Sequence, residues 1–354
     1  MAARWKHSPP GSNWGEFGPD DQLGRMNLVT TAKVLEGIAE VREGRTFCLS
    51  LPLDVPGGQT LNPRRIAPRR YAVLRDGKSA GQQGFCWSYA SEDAELTDVV
   101  NDDVVLMSLQ YSTQWDSLAH VGSRFDADGD GADAMVFYNG FRAGEHIRAG
   151  TEDPAAPEPH ARYREPEARA LGIERLAEHG VQGRGVMIDV EHHVGRKRQA
   201  IGYDALMRVL DADGVVVEPG DMVCLHTGFA DTLLAMNRAP DLARLHATGT
   251  GLDGWDAKLL NWIVDTKLAC LLADNPAVEL VVPKLETPSP LRRPRLPLHE
   301  HCLFKNGIHL GELWYLTELA AWLRARRRTR FLLTAPPLRL PGAVGSPATP
   351  IATV

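Results

Sequence analysis

The chain reads as an α/β fold, a mixed sheet with helices packed on it. Three observations predict this. Short apolar runs of strand character alternate with helix-length amphipathic segments through the second half, the pattern of a sheet covered by helices. Turn and cap residues punctuate the runs. The 354 residues, 44% hydrophobic and 24% charged, hold enough apolar material to offset chain entropy in an ordinary globular core.

In order along the chain, residues 1–20 are rich in Pro, Gly and Ser and read as an extended arm. Thr30 or Thr31 caps a helix through 32–41. Residues 46–55 alternate as a strand, and 56–70 form a Pro/Gly/Arg loop. The strongest strand signal is 102–112 (DDVVLMSLQYS), a near-continuous apolar run. Residues 150–166 form a Pro-rich surface loop, followed by a helix over 167–180 that Gly180 stops. Strands at 185–190, 221–229 and 268–274 alternate with helices near 204–211 and 254–265, the latter capped by Asp253. Glu312 opens an amphipathic helix, and 330–335 is the last strand.

Composition excludes several functions. A net charge of −6 argues against nucleic acid as the partner, so the arginines at 324–330 read as a solvated helix end. No apolar run reaches the roughly 18 residues of a membrane span, and the N-terminus has no apolar signal region. Five cysteines without a C-x-x-C pair point to reduced thiols and a cytoplasmic protein, with Cys224 and Cys270 as core residues. No internal repeat appears.

Some motifs fail on context. Gly77-Lys78-Ser79-Ala80-Gly81 spells a nucleophile elbow, but no helix start follows it. As a phosphate loop it lacks the earlier glycine, because position 72 is Ala. Asp126-Ala-Asp128-Gly-Asp130-Gly131 begins like a calcium loop, yet Phe137 stands where the closing glutamate belongs. A polar turn is the reading. His192 and His193, before a charged loop, read as surface residues.

The chemistry concentrates in 110–120 (QYSTQWDSLAH). If the chain stays extended there, Gln110, Gln114, Asp116 and His120 share one face. Such a polar row at a buried strand exit is costly without partners, which a metal or a polar substrate supplies. A second cluster, His299-Glu300-His301…His309…Glu312, places three histidines and two carboxylates within fourteen residues.

These residues resemble the putative cyclase family, metal-dependent hydrolases that include bacterial kynurenine formamidase and isatin hydrolase. The family pattern is His-x-Gly-Thr-His-x-Asp-x-x-x-His. Thr113, Asp116 and His120 match it, whereas Gln110 and Gln114 replace its first two histidines and Ser112 its glycine. The segments 218–228, 271–275, 307–312 and 336–347 continue the resemblance over roughly 45–354. It implies a swivelling β/β/α fold, with 1–44 as an N-terminal extension and helix and 45–354 as a cyclase-like hydrolase domain. It also implies a homodimer, a small-molecule substrate and a divalent metal (Mn, Zn or Mg). The implied ligands are Gln110, Gln114, Asp116, His301 and Glu312, with His120 as acid/base beside Asp116. His226, in a segment that resembles the family's strand ending in an Arg-Thr-Gly-type turn, is expected to contact substrate, as are Trp115 and Tyr111, which with Trp87 are expected to form an aromatic wall for a planar substrate. Aligned on Gly307 and Glu312, the family's second-motif histidine falls on Glu300; His299, Glu300, His301 and His309 all stay open.

Gln is a poorer zinc ligand than imidazole. Either an oxygen-rich shell of Gln114, Asp116 and Glu312 keeps a hard metal, or the later histidines compensate, or the metal is gone. The expected reaction is hydrolysis of an amide, formamide, imide or lactone bond in a small cyclic or aryl substrate. The alternatives are a metal-independent cyclase or isomerase and a catalytically silent binding protein.

Overall fold

The computed structural model describes residues 3–75, 81–281 and 293–354. Period-two alternation organises its centre. Val186, Val223 and Leu271 enter one apolar cluster, whereas Met187, Cys224 and Leu272 enter the other. Strands buried on both faces read as continuous apolar runs, as these do.

The strands of this central sheet are β1 (Thr46–Cys48), β2 (Gln114–Asp116), β3 (Gln182–Asp189), β4 (Met222–His226), β5 (Cys270–Ala273), β6 (His309–Glu312), β7 (Arg330–Thr334), β8 (Gly345–Pro347) and β9 (Ile351–Thr353). They form one nine-stranded sheet in the order β1-β9-β7-β3-β4-β5-β6-β2-β8. Strands β3 to β6 run parallel; the flanking pairs are antiparallel.

Helices cover both faces. On one side lie Tyr203–Asp213 (α3) and Ala257–Asp265 (α4) with Leu206, Val209, Leu259 and Ile263 inward. On the other lie Ile173–His179 (α2) and Thr317–Ala325 (α5), through Leu176, Leu319 and Leu323. Thr31–Ala39 (α1) packs on this second side through Val34, and Thr30 Oγ1 caps it by accepting from the Lys33 N–H. The N-terminal arm is pinned to the segment that will carry the site. Trp14 Nε1 donates to the Phe304 carbonyl at 2.8 Å. At Gly24, with φ +57°, an added Cβ would meet the Gly307 carbonyl oxygen at 2.1 Å, so this crossing requires glycine.

Several local expectations are corrected. The run 102–112 yields a strand only at Asp103–Leu106, in an exposed two-stranded ribbon with Arg69–Ala72, and Val104 and Val105 are about half exposed. The sheet strand begins later, at Gln114. Residues 167–168 are extended, and α2 starts only at Ile173. Asp256, not Asp253, caps α4, its carboxylate accepting from the Lys258 and Leu259 N–H groups. Glu312 closes a strand rather than opening a helix. The Asp126 turn is as read: its carboxylate accepts from the N–H groups of Gly129, Asp130 and Gly131. Cys224, Cys270 and Cys302 are buried free thiols. Of the Gly77–Gly81 motif, residues 77–80 lie outside the described residues.

Candidate active site

The carboxyl ends of parallel strands are where open α/β sheets gather polar function. Here that edge presents Asp189 from β3, His226 from β4, Asp274 just after β5 and Glu312 from β6. Next along the sheet, β2 runs the other way, with Gln114 opposite Glu312 in register. Gln114 and Asp116 are two apart and share a face, and registered partners raise their side chains on the same side. Three polar side chains therefore meet on one patch, all buried.

His299 completes it. It lies on the helical turn Pro297–His299, which runs into a π-helical segment at Glu300–Lys305. Its Nε2 is 3.2 Å from Glu312 Oε1, and its Nδ1 is 2.7 Å from Glu279 Oε1. Glu279 also accepts from the backbone N–H groups of Leu298 and His299, both at 3.1 Å. Burial alone would lower the His299 imidazole. The bonds to Glu279 and Glu312 and the charge of Asp116 outweigh it and push the ring up to about 10. The Glu312 carboxyl is raised by burial and by Asp116, against the pull of His299 and Arg65.

Gln114 is oriented by Arg65, whose Nη1 donates to Oε1 at 3.1 Å. A guanidinium only donates, so the amide nitrogen must face the carboxylates. It donates to Glu312 Oε2 at 2.9 Å and to Asp116 Oδ1 at 3.3 Å. Asp116 Oδ2 is buried with no partner among the described residues. Ligand atoms of Asp116, His299 and Glu312 lie within 4.8 Å of one another. This set fits one divalent cation with an oxygen-rich shell: an orphaned carboxylate oxygen, a second carboxylate and an imidazole.

The patch floors a cavity of about 900 Å³, with His120, Tyr111 and Gln110 in its lining. His120 Nε2 is 3.8 Å from Asp116 Oδ1, and a quarter of its side chain is exposed. Gln110 lies over Gly345, where an added Cβ would meet its amide nitrogen at 2.4 Å. Tyr111 Oη donates to the Gly58 carbonyl at 2.6 Å and so holds the loop that forms one wall.

Other sequence candidates lie elsewhere. Trp115 is fully buried, stacks edge-on against Trp314 and donates to the Ala335 carbonyl. Trp87 packs under Arg75 on the periphery. His301 bonds with Asn306, and burial lowers its ring to about 4; His299 is the cluster member that meets Glu312. His309 sits three residues before Glu312 on an extended strand, hence on the opposite face. His226 Nδ1 is 2.7 Å from Asp189 Oδ1, in a separate group with Glu191. The carboxylates of that group are already engaged, Asp189 by Arg324 and Glu191 by Arg196. His192 and His193 are exposed. Glu279 and Arg65 escaped the sequence reading: neither belongs to a motif, and only the fold brings them to the patch.

Sheet, helix layers and acid–histidine floor define an α/β protein of the swivelling β/β/α class with a candidate metal centre. The chain belongs to the family described as putative cyclase, whose sequence profile matches residues 49–280, more than half its length. A solved structure of a novel cyclase is 29% identical, with TM-score 0.71 and 97% of each chain covered. Isatin hydrolase A from Ralstonia solanacearum is 13% identical, with TM-score 0.51 over 87% of this chain and 91% of that one. An isatin hydrolase bound to the product analogue thioisatinate is also 13% identical, with TM-score 0.51 over 91% and 95%. At 13% identity these two share the fold. No curated protein matches at the sequence level.

Proposed function

We propose that the protein is a hydrolase that cleaves a C–N or lactone bond in a small cyclic or aryl substrate. The observation that carries this reading is the convergence of Asp116, His299 and Glu312, with Asp116 Oδ2 lacking a partner, beneath a cavity that His120 lines. Asp116, His299 and Glu312 would hold a divalent cation, which when bound polarises a carbonyl and acidifies water.

The chain's own groups do the rest. Glu279 fixes the His299 ring through Nδ1, leaving Nε2 toward the patch. Arg65 locks the Gln114 amide and so spaces Asp116 from Glu312. His120 is the partly exposed base: its Nε2 takes a proton from attacking water and returns it to the leaving nitrogen or oxygen.

One observation favours a second reading, a metal-independent cyclase or isomerase. The Gln114 amide nitrogen already donates to one oxygen of each carboxylate, Asp116 Oδ1 and Glu312 Oε2. Turnover of aryl formamides, cyclic imides and lactones, with and without added manganese, tests the proposal. Manganese-dependent hydrolysis that falls about 10²–10⁴-fold in His120→Gln supports it. Turnover independent of any metal favours the second reading; no turnover of any class leaves a binding protein.

A further inference from the structure

The cavity has an acidic floor but a basic rim. Arg64, Arg65 and Arg295 all line it, and Glu312, at the floor, is the single carboxylate among its described lining residues. Arg65 is tied to Gln114. Arg64 and Arg295 are exposed, and neither makes an ion pair among the described residues. The nearby acids are otherwise engaged: Asp54 pairs with Arg238, and Glu279 with His299. The chain as a whole carries −6, so this positive mouth runs against the global charge. A cleft lined by one sign of charge concentrates ligands of the other sign. Leu61, Pro63, Pro276 and Leu296 also line the cavity and give it apolar surface for a flat ring.

Resting on the hydrolase reading above, we infer that the substrate class is an acid: an aryl amide or lactone that carries a carboxylate, with the scissile carbonyl over the Asp116–Glu312 floor and the carboxylate between Arg64 and Arg295. Guanidinium groups match carboxylates in paired hydrogen-bond geometry, which lysine would not. An ammonium-bearing substrate would meet repulsion at the same rim. For N-formylanthranilate the balance is simple. Water adds its oxygen to the formyl carbon, the C–N bond breaks, the nitrogen takes a proton, and formate and anthranilate leave.

Equilibrium binding tests the inference apart from turnover. Anthranilate and 2-aminobenzamide share ring and amine and differ in the charge. By calorimetry at low salt, anthranilate should bind at least about tenfold tighter than 2-aminobenzamide, a difference that high salt erodes. Arg64→Ala/Arg295→Ala should remove that ratio, and Arg64→Lys/Arg295→Lys should recover only part of it. Both arginines are exposed, so the fold should survive, which circular dichroism checks. Equal binding of the two compounds, no binding of either up to about 10 mM, or a ratio unchanged in the double alanine variant overturns the inference. If anthranilate is preferred but no substrate is hydrolysed, the carboxylate subsite stands and the hydrolase reading falls.

Discussion

Glu279→Gln is the perturbation that probes the site's support most sharply. Glu279 is 4% exposed, and its two oxygens accept three N–H bonds, one from the His299 ring and two from backbone. Glutamine keeps the shape and one acceptor. Its amide nitrogen must then face either the Leu298 N–H or the His299 donors, so one donor meets another. A hydrogen bond to a charged group is worth about 1.5–3 kcal/mol, and an orphaned buried donor costs about 1–3 kcal/mol. The expected destabilisation is therefore about 3 kcal/mol. Urea unfolding in chelator reads it as a lower midpoint at unchanged slope. The His299 ring also loses its orienting anion, so affinity for manganese should fall about 10–100-fold. A variant within about 0.5 kcal/mol of wild type, the range of an ordinary surface substitution, and with unchanged manganese affinity refutes this role for Glu279.

Three further outcomes follow from other parts of the molecule. Gln114→His restores an imidazole where the amide nitrogen now donates to two carboxylates, and should raise zinc affinity by about tenfold or more, read by competition with a chromophoric chelator; unchanged affinity contradicts the placement of Gln114. His309 is fully buried, and burial, with the charge of His179, holds its ring down at about 3. The unfolded chain therefore binds this proton from about pH 6.5 downward while the folded one does not, so stability falls as pH drops, by about 2 kcal/mol from pH 7 to 5. His309→Leu should remove that share of the acid sensitivity; parallel unfolding curves for both proteins at the two pH values would show the ring already charged in the fold. Arg65→Ala frees the Gln114 amide to rotate, and should lower kcat about tenfold or more while binding of a neutral aryl amide changes less; an unaffected kcat removes Arg65 from the positioning set.

How far the sequence could be read depends on whether a feature is local. Strands β3 to β5 declared themselves, because burial on both faces leaves uninterrupted apolar runs, whereas β6, with Glu312 read as a helix start, did not. The run at 102–112 sends the same signal from an exposed ribbon, since periodicity reports apolarity and not what covers it. Gln114 and Asp116 were legible because period-two spacing keeps them on one face, and Glu312 through its resemblance to the family's second motif; the register that joins them is set by the sheet. The histidine was not. With the family histidine aligned on Glu300, His299 is one residue too early for a regular helix. The π-helical Glu300–Lys305 takes up an extra residue and so brings His299, rather than its neighbours, to Glu312. Glu279 and Arg65 come from segments far from either motif, and only tertiary packing joins them to it.

The central claim is that Asp116, His299 and Glu312 form a cation site. The most direct measurement is the elemental content of protein purified without chelator and then dialysed against manganese, for wild type and for Asp116→Asn. About one manganese per chain in the wild type, lost in the variant, is the predicted result. Wild-type protein that holds no metal yet hydrolyses its substrate, or a variant that keeps its full complement, would contradict the account.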